Sequence, residues 1–287
     1  MLIAYINGKF VPLDKAKVSV LDRGFLYGDG VFETMRAHNG VVFGLEKHVA
    51  RLFKSLKTFR INLKVTPPKI KKIVYELLNK NKLSVTHEKD AYIKIIVTRG
   101  TSRGLLMPSG SVRATIAIYA LPQKQIPRSV YEKGMRLGVS KSVYNEKSPT
   151  SGHKTLNYLQ YIMHRYDAKR KNLDEVILLN INGFVSEASS SNIFLIKEKR
   201  IITPCLKSGC LPGIIRAEVI RLSKRFLKKK VKEIFVKKQA LLKADEVFLT
   251  NSTVGIMPVV EINGRTIGNG KPGPITKKLK ELLKSER

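Results

Sequence analysis

Two side chains in this 287-residue chain stand in surroundings that chemistry could use. Lys154 lies in the polar segment SGHKTLNYLQY, just ahead of an apolar, aromatic helix start. Partial burial there would lower its pKa and keep the amine nucleophilic. Glu187 lies in GFVSEASSSNIF, an otherwise uncharged, strand-like run. A carboxylate in such a run is costly to bury unless it meets a cation. Such an amine can form a Schiff base with a carbonyl, and such a carboxylate can hold a proton on a basic partner. Taken singly, each has a plainer reading: one more surface lysine, and a strand-edge glutamate facing water. A third segment, LPGIIR, offers an anion site. Gly213 lets the chain turn, and the next residues begin a helix with unsatisfied backbone N–H groups. A plain helix start would look the same.

The elements that must position these residues follow from periodicity. AYINGKFVPL reads as a hairpin turned at Asn7-Gly8. LEKHVARLFKSLKTF carries apolar residues at 45, 49, 52 and 56, a helical stripe, and a second helix is expected across 68–80. AYIKIIVTRG and VRATIAIYAL, rich in β-branched residues, read as strands. The expected organisation is a small N-terminal α/β domain (1–120), a proline-bearing linker (121–134) and a larger C-terminal domain (135–287). In the latter, a strand near 136–141 precedes the Lys154 segment and its helix. Successive strands follow, turned at Asn182-Gly183, then a helix after Pro212-Gly213 and a surface helix in GPITKKLKELLKSE. The fold class is two-domain α/β, with a cleft where the domains meet.

Composition narrows the function classes. Lysine and arginine total 54 against 22 acidic residues, a formal +32. The lysines alternate with apolar residues at helical spacing, as on a solvated face. No nucleic-acid recognition module is evident, so the charge is read as favouring anionic substrates and phosphates rather than a specific nucleic acid. No apolar run is long enough to span a bilayer, and MLIAYINGKFVPL lacks the features of a signal peptide. A cytoplasmic protein without a membrane role is expected. Cys205 and Cys210, in TPCLKSGCLPG, lack a metal-site or redox spacing and read as loop thiols; no metal is expected.

KTLNYL followed by G-x-V-x-E-x-S-S-S-N-I-F resembles the two signature segments of the fold-type IV pyridoxal 5'-phosphate (PLP) enzymes. That family holds branched-chain aminotransferases, D-amino acid transaminases and aminodeoxychorismate lyases. The resemblance runs from DRGFLYGDGVFE to IGNGKPGPIT, nearly the whole chain. It implies a D-amino acid aminotransferase-like fold, PLP as cofactor, and a homodimer with its sites at the domain boundary. It implies Lys154 as the Schiff-base and proton-shuttling lysine and Glu187 as partner of the ring nitrogen. Arg51, in HVARL, matches the arginine that grips the cofactor phosphate, to which a guanidinium fork is suited. The backbone N–H groups of Ile214 and Ile215 match a second phosphate contact; the family usually has threonine at 215, so a hydroxyl is lost here. Ser189 and Ser252 match cofactor contacts, and Thr253 matches the turn that meets the substrate carboxylate. Tyr158, one helical turn after Lys154, falls near the ring O3′.

The substrate-facing segments disagree with one another. Tyr27 and Phe32 match the aromatic pocket of branched-chain aminotransferases, and Tyr92 and Lys94 fall in their Y-I-R pattern, with lysine replacing arginine. Arg103, in TRGTSRGLLMP, has no histidine beside it, against the D-amino acid pattern. FLTNSTVGIMPV is similar to the lyase version of that segment. The apolar Tyr27/Phe32 wall favours an aminotransferase acting on hydrophobic, branched-chain-type amino acids and a 2-oxo acid. Alternatives are the lyase, releasing pyruvate and 4-aminobenzoate, then a D-amino acid transaminase, and last a basic binding protein without catalysis.

Overall fold

The computed structural model describes residues 1–84, 90–102, 106–108 and 112–286. Arg103 lies outside them. The chain forms two compact units: Met1–Gln125 with His153–Asn157, and Ile126–Gly152 with Tyr158–Arg287.

The first unit opens with the hairpin β1 (Ile3–Ile6) and β2 (Lys9–Pro12). Asn7 and Gly8 both take positive φ, as a primed two-residue turn requires. Next come α1 (Arg23–Tyr27), β3 (Gly30–His38), β4 (Val41–Val42), α2 (Leu45–Thr58), α3 (Pro67–Lys80), β5 (Asp90–Thr98) and β6 (Thr115–Gln123). The antiparallel sheet has the order β2-β1-β6-β5-β3-β4. Alternation sorts its faces. Met35, Ile93 and Ile118 belong to a core shared with Leu45, Val49 and Leu52, the stripe expected on α2. Phe32, Lys94 and Tyr119 alternate with those residues and lie on the other face. β4 pairs only with Ala37 and His38, so the edge of β3 near Gly30 is left for another partner.

In the second unit, α4 (Arg128–Lys133) and β7 (Met135–Val139) precede α5 (Leu159–Arg170). The strands β8 (Glu175–Leu179), β9 (Phe184–Ala188), β10 (Asn192–Lys197) and β11 (Arg200–Pro204) follow. α6 (Ile214–Phe226), β12 (Lys232–Ile234), β13 (Val236–Lys237) and α7 (Lys238–Leu242) come next. β14 (Glu246–Asn251), β15 (Gly255–Ile262), β16 (Arg265–Thr266) and α8 (Pro274–Ser285) complete it. The sheet runs β12-β11-β10-β14-β15-β7-β8-β9-β13, with β16 on β15. It is mixed, with β7 parallel to both β8 and β15.

Two local expectations change. The stretch 121–134 holds the end of β6 and α4, and the chain passes between units within it, after Gln125. The residues after Lys154 are extended, not helical: Thr155 bridges antiparallel to Val31, and α5 starts only at Leu159. Tyr158 is therefore the N-cap of α5 rather than a residue one turn along a helix from Lys154. Among the described residues no helix is long and apolar enough to cross a membrane, and no group of side chains is suited to a metal ion.

Candidate active site

Lys154 owes its place to the open edge of β3. The Phe32 N–H donates to the Lys154 carbonyl (2.9 Å), and the Leu156 N–H to the Gly30 carbonyl (2.9 Å). Asn157 Nδ2 donates to the Gly28 carbonyl (3.2 Å). Residues 153–157 thus act as a short added strand, and the approach is close. A Cβ on Gly30 would stand 2.6 Å from the Val97 carbonyl oxygen and 2.7 Å from Leu156 Cδ1. The result is an amine over an aromatic face, Lys154 Nζ lying 4.3 Å from the Phe32 ring centroid. Lys94 Nζ lies 4.7 Å from the same centroid. Burial lowers the Lys94 pKa, since a desolvated ammonium is disfavoured. Tyr92 and Tyr119 extend this aromatic surface, their ring centroids 6.4 Å apart. Tyr27 is half-exposed, with the buried Arg23 guanidinium 5.0 Å from its ring centroid.

On the other face of β3 sits a group that the motifs do not announce. Glu33 is buried at 1% exposure and takes both Arg51 and His48. Arg51 Nε donates to Oε1 (2.7 Å) and Nη2 to Oε2 (2.8 Å), a bidentate clamp. His48 Nδ1 shares a hydrogen bond with Oε2 (2.7 Å). Burial pushes the Glu33 carboxyl up, but the charge and hydrogen bonds of Arg51, with the His48 bond, prevail and bring it down to about 2. His48 is held below its usual value by burial first; the Glu33 bond opposes this, and the charges of Arg51 and Lys154 add to it. The sequence singles out Arg51 as a candidate phosphate contact but not the two side chains clustered with it here. The available signals were a carboxylate at an inward position of a strand and a histidine three residues before the arginine on one helix face.

The second unit carries the carboxylate. Glu187, on β9, is 8% exposed. Its Oε2 accepts from the Leu211 N–H (3.0 Å) and from Asn192 Nδ2 (3.2 Å). Asn192 Nδ2 also donates to the Leu211 carbonyl (2.8 Å), so this asparagine of the S-S-S-N-I-F run ties Glu187 to the L-P-G turn. A Cβ at Gly213 would stand 2.0 Å from Asn192 Oδ1, so only glycine permits that approach. α6 then begins at Ile214 with Gly213 as N-cap and no capping side chain. The first helical bond is from the Ala217 N–H to the Gly213 carbonyl, which leaves the Ile214 and Ile215 N–H groups at the open end of the helix while both side chains are buried.

Groups around Glu187 keep their protons. Burial, then the Glu187 charge, raises the Tyr161 pKa, and burial does the same for Tyr144. Burial with the Glu187 charge pushes the Cys210 thiol up to about 12. Tyr158 stacks on Tyr161, ring centroids 4.8 Å apart. A buried carboxylate among neutral phenols and a neutral thiol favours a cationic partner, and the uncapped start of α6 favours an anion. That donor and acceptor set fits a phosphorylated, nitrogen-bearing ring.

The remaining expected residues are occupied in informative ways. Ser189 donates its hydroxyl proton to buried Glu175 (2.5 Å), as Ser190 does (2.7 Å), with Arg165 beside the same carboxylate (3.2 Å). Asn251 Oδ1 accepts from Thr253 N–H (3.0 Å), Thr253 Oγ1 (2.8 Å) and Val254 N–H (2.9 Å), closing the turn that holds Ser252. Asn251 Nδ2 in turn donates to Ser191 Oγ (2.9 Å). The turns after Glu187 and after β14 are therefore bonded to each other.

Comparison with known proteins places the chain as a whole in a family. The family model of the class IV amino-transferases matches residues 30–262. A Methanocaldococcus jannaschii protein named "Putative branched-chain-amino-acid aminotransferase" is 40% identical over 286 residues, covering 99% of this chain and 96% of its own length. The D-alanine aminotransferase of Bacillus licheniformis is 32% identical over 280 residues, 97% of this chain and 95% of that one. Among solved structures, the branched-chain amino acid aminotransferase of Escherichia coli superposes with a TM-score of 0.93 at 28% identity, over 99% of this chain and 94% of that one. This chain belongs to the class IV aminotransferase family.

Proposed function

We propose that the protein is a PLP-dependent aminotransferase that moves an amino group between a hydrophobic, branched-chain-type amino acid and a 2-oxo acid. The observation that carries this reading is the Lys154 amine, held by β3 backbone bonds and seated 4.3 Å from the Phe32 ring centroid. When bound, PLP supplies a carbonyl for the lysine and an electron-accepting ring for the substrate's α-carbon. Lys154 Nζ would hold the cofactor, and its amine is the general base that would take up the substrate's α-proton and return it. Glu187 keeps the proton on the ring nitrogen, supported by the neutral groups around it. Arg51, pre-set by Glu33, and the Ile214 and Ile215 N–H groups bind the phosphate, with Ser252 completing the contact. Tyr158 would neighbour the ring oxygen on resemblance alone, since it caps α5 rather than following Lys154 along a helix. Ser189, its proton given to Glu175, fixes the turn after Glu187 instead of donating to a ligand.

Phe32, Tyr27 and Tyr92 supply an apolar wall for the amino acid side chain. Lys94 supplies a single-point cation for an acidic co-substrate, weaker in geometry than an arginine fork. Thr253 shapes the turn toward the substrate carboxylate, and Arg103 is assigned to carboxylate binding on resemblance alone. A homodimer is part of this reading, supported by apolar side chains left exposed on α1 (Phe25, Leu26) and on one stripe of α5 (Leu159, Ile162, Met163, Tyr166). So is a cytoplasmic setting, supported by the two free thiols.

The test is a half-reaction. The yellow enzyme is mixed with L-leucine alone, and the visible cofactor band is followed. It is expected to convert to the pyridoxamine form, and Lys154→Ala is expected to hold cofactor only noncovalently and convert at least about a hundredfold more slowly. An unchanged band with L-leucine would reject the substrate class. Conversion by D-alanine instead would assign the other enantiomer, and pyruvate release from aminodeoxychorismate would assign the lyase.

A further inference from the structure

One flank of the Lys154 segment is held by backbone and the other by a side chain. Toward β3 it makes two backbone hydrogen bonds. On the other flank, His153 Nδ1 shares a hydrogen bond with Ser55 Oγ (2.9 Å), and its ring meets Phe59 edge-on, centroids 4.9 Å apart at 70°. Ser55 is a buried hydroxyl on α2, where a serine more often bonds back to its own helix. Here it reaches a residue 98 positions away. Ser55 lies one turn beyond Arg51 and two beyond His48, so one face of α2 bears both the Glu33 clamp and the His153 anchor. Burial, then the charge of Lys54, lowers the His153 pKa, so the ring is neutral at neutral pH and adds no charge beside the amine.

We propose that His153 is a positioning residue for Lys154: through Ser55 and Phe59 it ties the lysine's backbone to the helix that carries Arg51, and so keeps the amine over Phe32. A five-residue strand with two ladder bonds frays readily by itself. Reaction rates fall about a hundredfold when a reacting group is misplaced by ~1 Å. An anchor on the residue next to the lysine suppresses that loss. The role rests on Lys154 being the reacting amine.

The test measures backbone amide exchange at Phe32 and Leu156 in the protein with its cofactor, for the wild type, His153→Leu, Ser55→Ala and His153→Asn. His153→Leu and Ser55→Ala are expected to speed exchange at both amides about tenfold, as loss of one anchoring hydrogen bond implies, with β5 unaffected. Turnover is expected to fall about tenfold or more, with KM changed less than about twofold. His153→Asn, whose amide can reach Ser55, is expected to recover most of both. Ser55→Ala, the smaller change, carries the test if His153→Leu does not fold. Unchanged exchange, or faster exchange with normal turnover, would overturn the proposal. If the wild type itself transaminates nothing, the functional reading fails, while the exchange data still decide whether His153 tethers the segment.

Discussion

Glu33 is among the most deeply buried carboxylates of the first unit. A carboxylate at 1% exposure is tolerable only because Arg51 and His48 satisfy both of its oxygens. Glu33→Gln would leave the largely buried Arg51 guanidinium without the Glu33 counter-charge and is expected to cost about 3 kcal/mol at pH 7, read from urea unfolding. The pH dependence follows from the direction of the shift. A carboxyl at about 2 in the fold, against an ordinary 4.5, favours the native state fully above about pH 4.5 and progressively less as the pH falls toward 2. The share of the gap between wild type and variant that comes from the Glu33 carboxyl should therefore be constant down to about pH 5 and shrink below that. A gap that failed to shrink between about pH 4.5 and 2 would contradict the ion-pair account.

At the scale of elements, β3 is the organising strand. Its outward residues include Phe32, its inward residues include Glu33, and its free edge receives Lys154. The edge works only if its first residue has no side chain. Gly30→Ala would set a methyl group 2.6 Å from the Val97 carbonyl oxygen and 2.7 Å from Leu156 Cδ1. It is expected to lower stability by ~1–3 kcal/mol and to shift the Lys154 segment, seen as a lower denaturation midpoint with weakened cofactor retention. Normal stability and retention would mean the contact is loose. The α2 stripe was legible in the sequence because its period is local, and Lys154 and Glu187 could be singled out as candidates because their flanks are local. Glu33, His48, Ser55 and His153 were not, because each gains meaning from a partner brought close only by folding, 15 positions away for His48 and Glu33, 98 for Ser55 and His153. The helix expected directly after Lys154 failed for the same reason: pairing with β3 overrides local propensity.

For the whole molecule, charge and histidines act together. The chain carries a formal +32, which repels itself more as carboxylates and imidazoles take up protons. His48, His153 and His164 are all held below 6.5, chiefly by burial. Such a histidine is protonated more readily once unfolded, so its support for the fold is complete above about pH 6.5 and is lost as the pH falls. The melting temperature is expected to drop between pH 7.5 and 5.5, more steeply at low salt, where repulsion is less screened. A flat profile would show that these rings titrate freely. The two units also interleave along the chain, since the piece bearing the lysine is written 28 residues after Gln125 but completes the first unit's sheet. A gene divided at that boundary would not yield two self-sufficient halves: the first product would present a bare strand edge, and only complementation by the second would supply the segment that bears Lys154.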